Sequence, residues 1–203
     1  MHNAVNITRE FRNAVIGNLD WNLRCPASGD IKGVVRAREL WEKLLEIREL
    51  TGEPYLWFID VANDCLPVTQ KAIGLRNNGS NLCSEISLAT GPDRTFVCCL
   101  SSLNLEKYDE WKDTTLVADL VRFLDNVLQW FCDYSPNALT RAVYSAGRER
   151  ALGIGAMGFH NYLMSKGIPF ESGGFNSAAQ INFNIFRRIH EEGIAASVRL
   201  SRS

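Results

Sequence analysis

Residues 80–105 read SNLCSEISLATGPDRTFVCCLSSLNL. Two mixed apolar and polar segments, 81–90 and 96–105, flank Thr90-Gly91-Pro92-Asp93, a run of turn formers, and together they predict a hairpin. In an extended first arm, alternation sets Asn81, Cys83 and Glu85 on one side and Leu82, Ser84 and Ile86 on the other. One face then offers an amide, a thiol and a carboxylate. An amide can fix a hydroxyl, a carboxylate can take its proton, and a thiol can act as nucleophile or hydrogen-atom donor. The same alternation also describes a solvated polar edge carrying one half-buried cysteine, and the residues alone leave both readings open. For Cys98-Cys99 in the second arm the alternatives are a thiol site and two buried fillers of a core strand. Adjacent residues face opposite ways, so only one of the pair can share a given cleft.

Working outward, Lys71–Ser80 (KAIGLRNNGS) reads as a loop punctuated by Gly74, Asn77-Asn78 and Gly79. Residues 34–50 place Val34, Leu40, Trp41, Leu44, Leu45 and Ile47 at helical intervals, with Thr51-Gly52 as a left-handed stop and Pro54 beyond. YLWFIDV at 55–61 reads as a short buried strand. Downstream, Asp113-Thr114-Thr115 caps a long helix with Leu116, Leu120, Phe123, Leu124, Val127, Leu128 and Phe131 as its core stripe. A helix over 145–166, closed by Gly167 and Pro169, comes next. Residues 176–198 predict another, capped by Asn176 or Ser177, with Ile181, Ile185, Phe186 and Ile189 inward. No repeat or linker divides the sequence, so a single mixed α/β domain over 1–203 is expected.

Composition removes several classes of function. Twenty-two Lys and Arg against 23 Asp and Glu give a net charge of −1, which excludes a basic cradle for direct nucleic-acid binding. No apolar run approaches the roughly 18 residues of a membrane span, and Met1-His2-Asn3 does not open a signal peptide. The expected compartment is the cytosol, where Cys25, Cys65, Cys83, Cys98, Cys99 and Cys132 remain reduced. None of His2, His160 and His190 stands at ligand spacing from a cysteine, so no metal site is expected. Gly153-Ile154-Gly155-Ala156-Met157-Gly158 matches GxGxxG, but charged, helix-like residues precede it where a dinucleotide fold needs a strand. Close backbone packing is the reading for these glycines, a helix-face position for His160, and solvent-facing ion pairs for Arg148 and Arg150.

Ser80–Ile86, followed by Val97–Leu105, resembles the catalytic stretch of the class I ribonucleotide reductase large subunit. The flanks agree: Asp20-Trp21-Asn22-Leu23-Arg24-Cys25-Pro26, the segment Ala37–Tyr55, Arg150-Ala151-Leu152-Gly153-Ile154-Gly155, and Gly167-Ile168-Pro169-Phe170-Glu171-Ser172 are similar to further family segments. The resemblance runs from about residue 5 to the end. It implies a partial ten-stranded α/β barrel with a catalytic finger hairpin and a helix-rich C-terminal half.

The resemblance also implies roles. Cys83 falls on the cysteine whose thiyl radical removes the ribose 3′ hydrogen, Glu85 on the carboxylate that takes the 3′-hydroxyl proton, and Asn81 on the amide that binds the ribose. Ser80, Asn81, Leu82, Cys83 and Glu85 would line the substrate, a ribonucleoside diphosphate. Cys98 matches one member of the redox-active cysteine pair, and Cys99 falls where the family does not depend on cysteine. No cofactor is expected on this chain: a metal-containing small subunit supplies the radical, and an external dithiol, thioredoxin or glutaredoxin, supplies electrons.

The partner of Cys98 has no counterpart here, since Cys25, Cys65 and Cys132 lie at no matching segment. The ATP-sensing domain, the specificity loops, the radical-relay tyrosines and the C-terminal cysteine tail are not matched either. The expectation is therefore a catalytic segment that works with the missing segments of the large subunit. Two alternatives are a non-catalytic remnant that binds reductase subunits and a cobalamin-dependent relative. Asn81-Leu82-Cys83-Ser84-Glu85, standing where that relative has N-P-C-G-E, argues against the latter.

Overall fold

A computed structural model describes residues 3–202, so the readings that fall on Met1 and His2 lie outside the described residues. The chain divides into two compact units, Met1–Thr95 and Phe96–Ser203.

In the first unit Ala4–Asn6 (β1) leads into Arg9–Ile16 (α1), and the Thr8 hydroxyl accepts from the Phe11 N–H at 3.0 Å to satisfy an orphan donor of the helix start. Phe11 and Ala14, one turn apart, are buried with Ile7 and Ala37, and Trp21 meets Phe11 edge-on at 5.1 Å. Asp20–Arg24 (β2) and Ile31–Arg36 (β3) form an antiparallel ladder in which Trp21 faces Val35. Ala37–Thr51 (α2) follows directly and ends at Gly52, whose φ of 76° and N–H bond to the Arg48 carbonyl make the expected left-handed stop. Its start differs from expectation. The β-branched pair Val34-Val35 lies in β3, and Val34 is exposed opposite Asn22 instead of joining a helical core.

Tyr55–Trp57 (β4) pairs in parallel with β1, Ala4 opposite Tyr55, and the intervening helices provide the crossover that parallel neighbours require. The strand predicted over 55–61 stops at Trp57. Ile59–Asp64 (α3) turns helical, and the Asp60 carboxylate in its first turn accepts from the Arg9 N–H at 2.5 Å. Val68–Ala72 (α4) then precedes a long loop.

In the second unit Cys99–Asn104 (β5) and Leu152–Met157 (β6) pair in parallel, Cys99 opposite Leu152 and Asn104 opposite Met157. Between them come a 3-10 turn at Leu105–Lys107, Tyr108–Trp111 (α5), Leu116–Tyr134 (α6) and Thr140–Glu149 (α7). Leu103, Leu105, Trp111, Val117, Tyr162, Ile185 and Ile189 form the core, and the Trp111 indole N–H donates to the Asn104 carbonyl at 2.9 Å. Phe159–Ser165 (α8) and Ala178–Leu200 (α9) complete the unit, with Ser177 as the α9 cap accepting from Gln180 N–H.

Part of the stripe predicted for α6 is as expected, with Leu124 and Leu128 buried and Leu120 packed against the core, but the rest of the buried face is rotated. Val117, Val121, Leu124 and Leu128 are buried, whereas Leu116, Phe123 and Val127 face outward with Trp130 and Tyr134. Both faces of this helix are apolar, so periodicity alone could not choose between them. On α9 Ile185 and Ile189 point inward, but Phe186 is exposed.

The helix expected over 145–166 is three elements: α7 ends at Arg150 (φ 43°), β6 occupies 152–157, and α8 begins after Gly158. The glycines explain the strand. A Cβ on Gly153 would overlap the Leu100 side chain, and one on Gly155 would come within 3.2 Å of the Ser102 hydroxyl. Gly158 combines φ 78° with an approach of 2.8 Å to Asn104 Oδ1. The GxGxxG run is thus a close-packed seam.

The predicted hairpin does not form. Among the described residues 81–90 belong to no ladder, and β5 takes β6 as its neighbour. Only Gly91 and Arg94 bridge, closing the tight turn between them.

Candidate active site

Asn81 to Glu85 form a tight turn, not one face of a strand. The Ser84 N–H donates to the Asn81 carbonyl at 3.1 Å, with Leu82 and Cys83 at the central positions. Ser84 carries the left-handed conformation at φ 66°, which breaks the period-two alternation that grouped Asn81, Cys83 and Glu85. Two of the three side chains, Asn81 and Glu85, still meet, by another route. The Asn81 amide nitrogen donates to Glu85 Oε1 at 2.6 Å, and its oxygen accepts from the Ile86 N–H at 3.0 Å. Both ends of one amide therefore close the turn like a buckle, with Cys83 exposed at its tip beside an exposed Leu82. The Ser80 hydroxyl donates to the Asn81 carbonyl at 3.2 Å at the entry of the turn.

The base of this loop has its own fastening, which the sequence reading missed. Asn63, on the last turn of α3, accepts from the Asn77 N–H at 2.8 Å and donates to the Asn77 carbonyl at 3.0 Å. Asn78 donates to the Thr90 carbonyl at 2.8 Å, and the Thr90 N–H returns to the Arg76 carbonyl at 3.2 Å. Asparagine clusters were legible only as turn formers, because their partners lie 12 and 14 positions away.

Cys98 belongs to the second unit, one residue ahead of β5. Its half-buried thiol donates to the Cys99 carbonyl at 3.7 Å and lies over Gly153, where a Cβ would come within 3.5 Å of the sulfur. Burial, followed by the nearby Cys132, pushes the Cys99 thiol up from its ordinary range, so Cys99 favours the neutral, filler state. Arg150 is not a loose surface cation: its guanidinium donates to the Asp125 carboxylate at 2.7 Å, the Asp125 carbonyl at 3.0 Å and Gln129 at 2.8 Å. His160 is exposed and lies beside the Phe170 ring. Among the described residues no three His, Cys, Asp or Glu side chains gather as a metal site, and no helix is long and apolar enough to cross a membrane.

The family model for the ribonucleotide reductase barrel domain matches residues 1–203. The chain belongs to that family. The large subunit of ribonucleoside-diphosphate reductase from Invertebrate iridescent virus 3 is 49% identical over 170 residues, 83% of this chain and 26% of that one. Its counterpart from Caenorhabditis elegans is 28% identical over 216 residues, 94% of this chain and 27% of that one. The Actinobacillus ureae class Id ribonucleotide reductase alpha subunit superposes with a TM-score of 0.85 at 37% identity, covering 100% of this chain and 36% of that chain. The chain thus spans about a third or less of the length of these ribonucleotide reductase relatives. The α/β barrel class read from the sequence is the family's own. Among the described residues the strands pair only as three two-stranded ladders, so no closed barrel forms.

Proposed function

We propose that this chain is the radical-bearing segment of a ribonucleoside-diphosphate reductase large subunit. It acts as a single incomplete barrel segment together with the rest of that subunit. In this reading the Cys83 thiyl takes the 3′ hydrogen of a ribonucleoside diphosphate and becomes a thiol, while Glu85 accepts the 3′-hydroxyl proton. The 2′-hydroxyl leaves as water. Two electrons come from a cysteine pair that includes Cys98 and becomes a disulfide, and Cys83 returns its hydrogen to C3′. The balance is one ribonucleotide plus one dithiol giving one deoxyribonucleotide, one disulfide and water. A metal-containing small subunit supplies the radical to Cys83, thioredoxin or glutaredoxin re-reduces the pair, and the compartment is the cytosol.

The observation that carries this reading is the buckle of Asn81 on Glu85 under the Cys83 tip. Asn81 orients the carboxylate before substrate arrives, so no reorganisation is needed when the proton moves. Leu82, next to Cys83, is exposed and supplies an apolar surface that a bound sugar would desolvate. The test is reconstitution of the chain with polypeptides that supply the remaining length of its relatives, a small subunit and a dithiol. Deoxyribonucleotide formation that is lost in Cys83→Ser and in Cys98→Ala is expected. Undiminished turnover with Cys83→Ser overturns the reading.

A further inference from the structure

We propose that Asn63 is a positioning residue for the Cys83 loop. Its side chain sits on α3, outside the loop, and its amide bonds both main-chain groups of Asn77 while anchoring itself to its own helix. Oδ1 accepts from the Asn77 N–H at 2.8 Å, while Nδ2 donates to the Asn77 carbonyl at 3.0 Å and to the Ile59 carbonyl at 2.9 Å. The amide thus mimics a neighbouring strand, pairing with both main-chain groups of one residue and tying that residue to the helix.

Asn77 is fully buried, and its side-chain Oδ1 and Nδ2 have no partner among the described residues. The main chain of Asn77, not its side chain, is therefore what the clamp holds. Four residues on stands Asn81, the buckle of the turn. The far side of the loop returns through Thr90 to Arg76 and Asn78, so residues 78–90 form a closed loop with both ends gathered next to the clamped residue. Asn6 on β1 adds a bond to the Asn78 carbonyl at 3.3 Å. Loosening Asn63 releases the base about which the whole loop is registered, and with it the sulfur at its tip.

This inference rests on Cys83 as the reacting thiol, because a placement error of about 1 Å in a reacting group costs about a hundredfold in rate. Its test has two arms. In the 203-residue chain, amide hydrogen exchange at Asn77, Ser84 and Ile86 accelerates in Asn63→Ala, while amides of the β2–β3 ladder keep their protection. Asn63→Asp, which retains the acceptor for the Asn77 N–H and loses the donor, gives intermediate exchange and covers the case in which the alanine variant fails to fold. Asn77→Leu leaves the main-chain partners of Asn63 in place and keeps all three amides protected.

In the reconstituted enzyme, Asn63→Ala and Asn63→Asp lower kcat by about a hundredfold, with KM changed by no more than a few-fold. Unchanged exchange at Ser84 and Ile86 in both Asn63 variants overturns the proposal, and so does altered exchange with kcat intact. If the wild-type assembly makes no deoxyribonucleotide while exchange responds as stated, the clamp stands and the functional reading is what fails.

Discussion

The side-chain amide of Asn81 holds the carboxylate of Glu85, four residues along, at 2.6 Å. That bond spans a turn whose tip is Cys83, and it fixes the carboxylate against the chain's own amide. Replacing Glu85 with Gln keeps a group of the same shape that can still meet Asn81 but can take no proton. In the reconstituted enzyme Glu85→Gln is expected to lower kcat by about 10²–10⁴-fold, read from single-turnover deoxyribonucleotide formation, with Cys83 still titratable by thiol reagents. A kcat within about threefold of wild type, well short of that range, would remove Glu85 from the proton step.

Asn77 carries a fully buried amide with neither end bonded. An unsatisfied buried polar group costs about 1–3 kcal/mol. Asn77→Leu, of similar size, is therefore expected to raise the stability of the chain by about that amount, read as a higher urea midpoint with an unchanged slope. A lower midpoint would mean the amide has partners that the described residues do not include.

Acid sensitivity is expected from Asp109. Hydrogen bonds from Lys112 at 2.8 Å and Lys166 at 2.5 Å, reinforced by their charges, lower its carboxyl from 3.8 to about 2. A depressed folded value means stability that is fully present above the unfolded carboxyl range and is lost as pH falls from about 4 to about 2. Thermal unfolding should show Asp109→Asn less stable than wild type at pH 6, the gap closing toward pH 2. The pair Asp109–Lys166 joins α5 to the residue that caps the end of α8, so a constant gap across that range would show that the joint does not titrate with this carboxyl.

Two glycines of the second unit should respond in opposite directions. Gly158 is in the left-handed region at φ 78° with Asn104 Oδ1 2.8 Å from where a Cβ would sit, so Gly158→Ala adds steric overlap to a backbone penalty of about 1–2 kcal/mol. Gly147 lies within α7 with open space around it, and Gly147→Ala is expected to stabilise by about 1 kcal/mol. Calorimetric midpoints moving down for the first and up for the second are the expected outcome. A Gly158→Ala midpoint equal to wild type would contradict the seam described for β6.

What could be read from the residues depended on whether the controlling partners were local. Gly52 stops α2 and Ser177 caps α9 because those motifs are complete within a turn of chain. The rotation of α6 was invisible, since Phe123 and Val127 are as apolar as Val121 and Val117, and only the elements packed on it, β5, β6, α7 and α9, decide which side is covered. The strand at 152–157 was hidden because Gly153 and Gly155 look like loop or helix breakers until Leu100 and Ser102 fill the space they leave. At the candidate site the residue types were legible and the geometry was not. Alternation placed Asn81, Cys83 and Glu85 on one face of a strand, whereas a left-handed Ser84 and a doubly bonded Asn81 fold the segment into a turn that pairs Asn81 with Glu85 and leaves Cys83 exposed. Asn63 gave no sign at all, as its partner is 14 residues away.

The outward row of α6 makes the chain a reporter of its own assembly. Trp130 is 65% exposed and its ring lies 5.4 Å from that of Tyr134, whereas Trp57 and Trp111 are shielded. A water-facing indole emits at longer wavelength and is open to collisional quenchers. Any polypeptide that settles along this side of the helix would shift the emission to the blue and shelter it from iodide, so docking could be followed by fluorescence with no label attached.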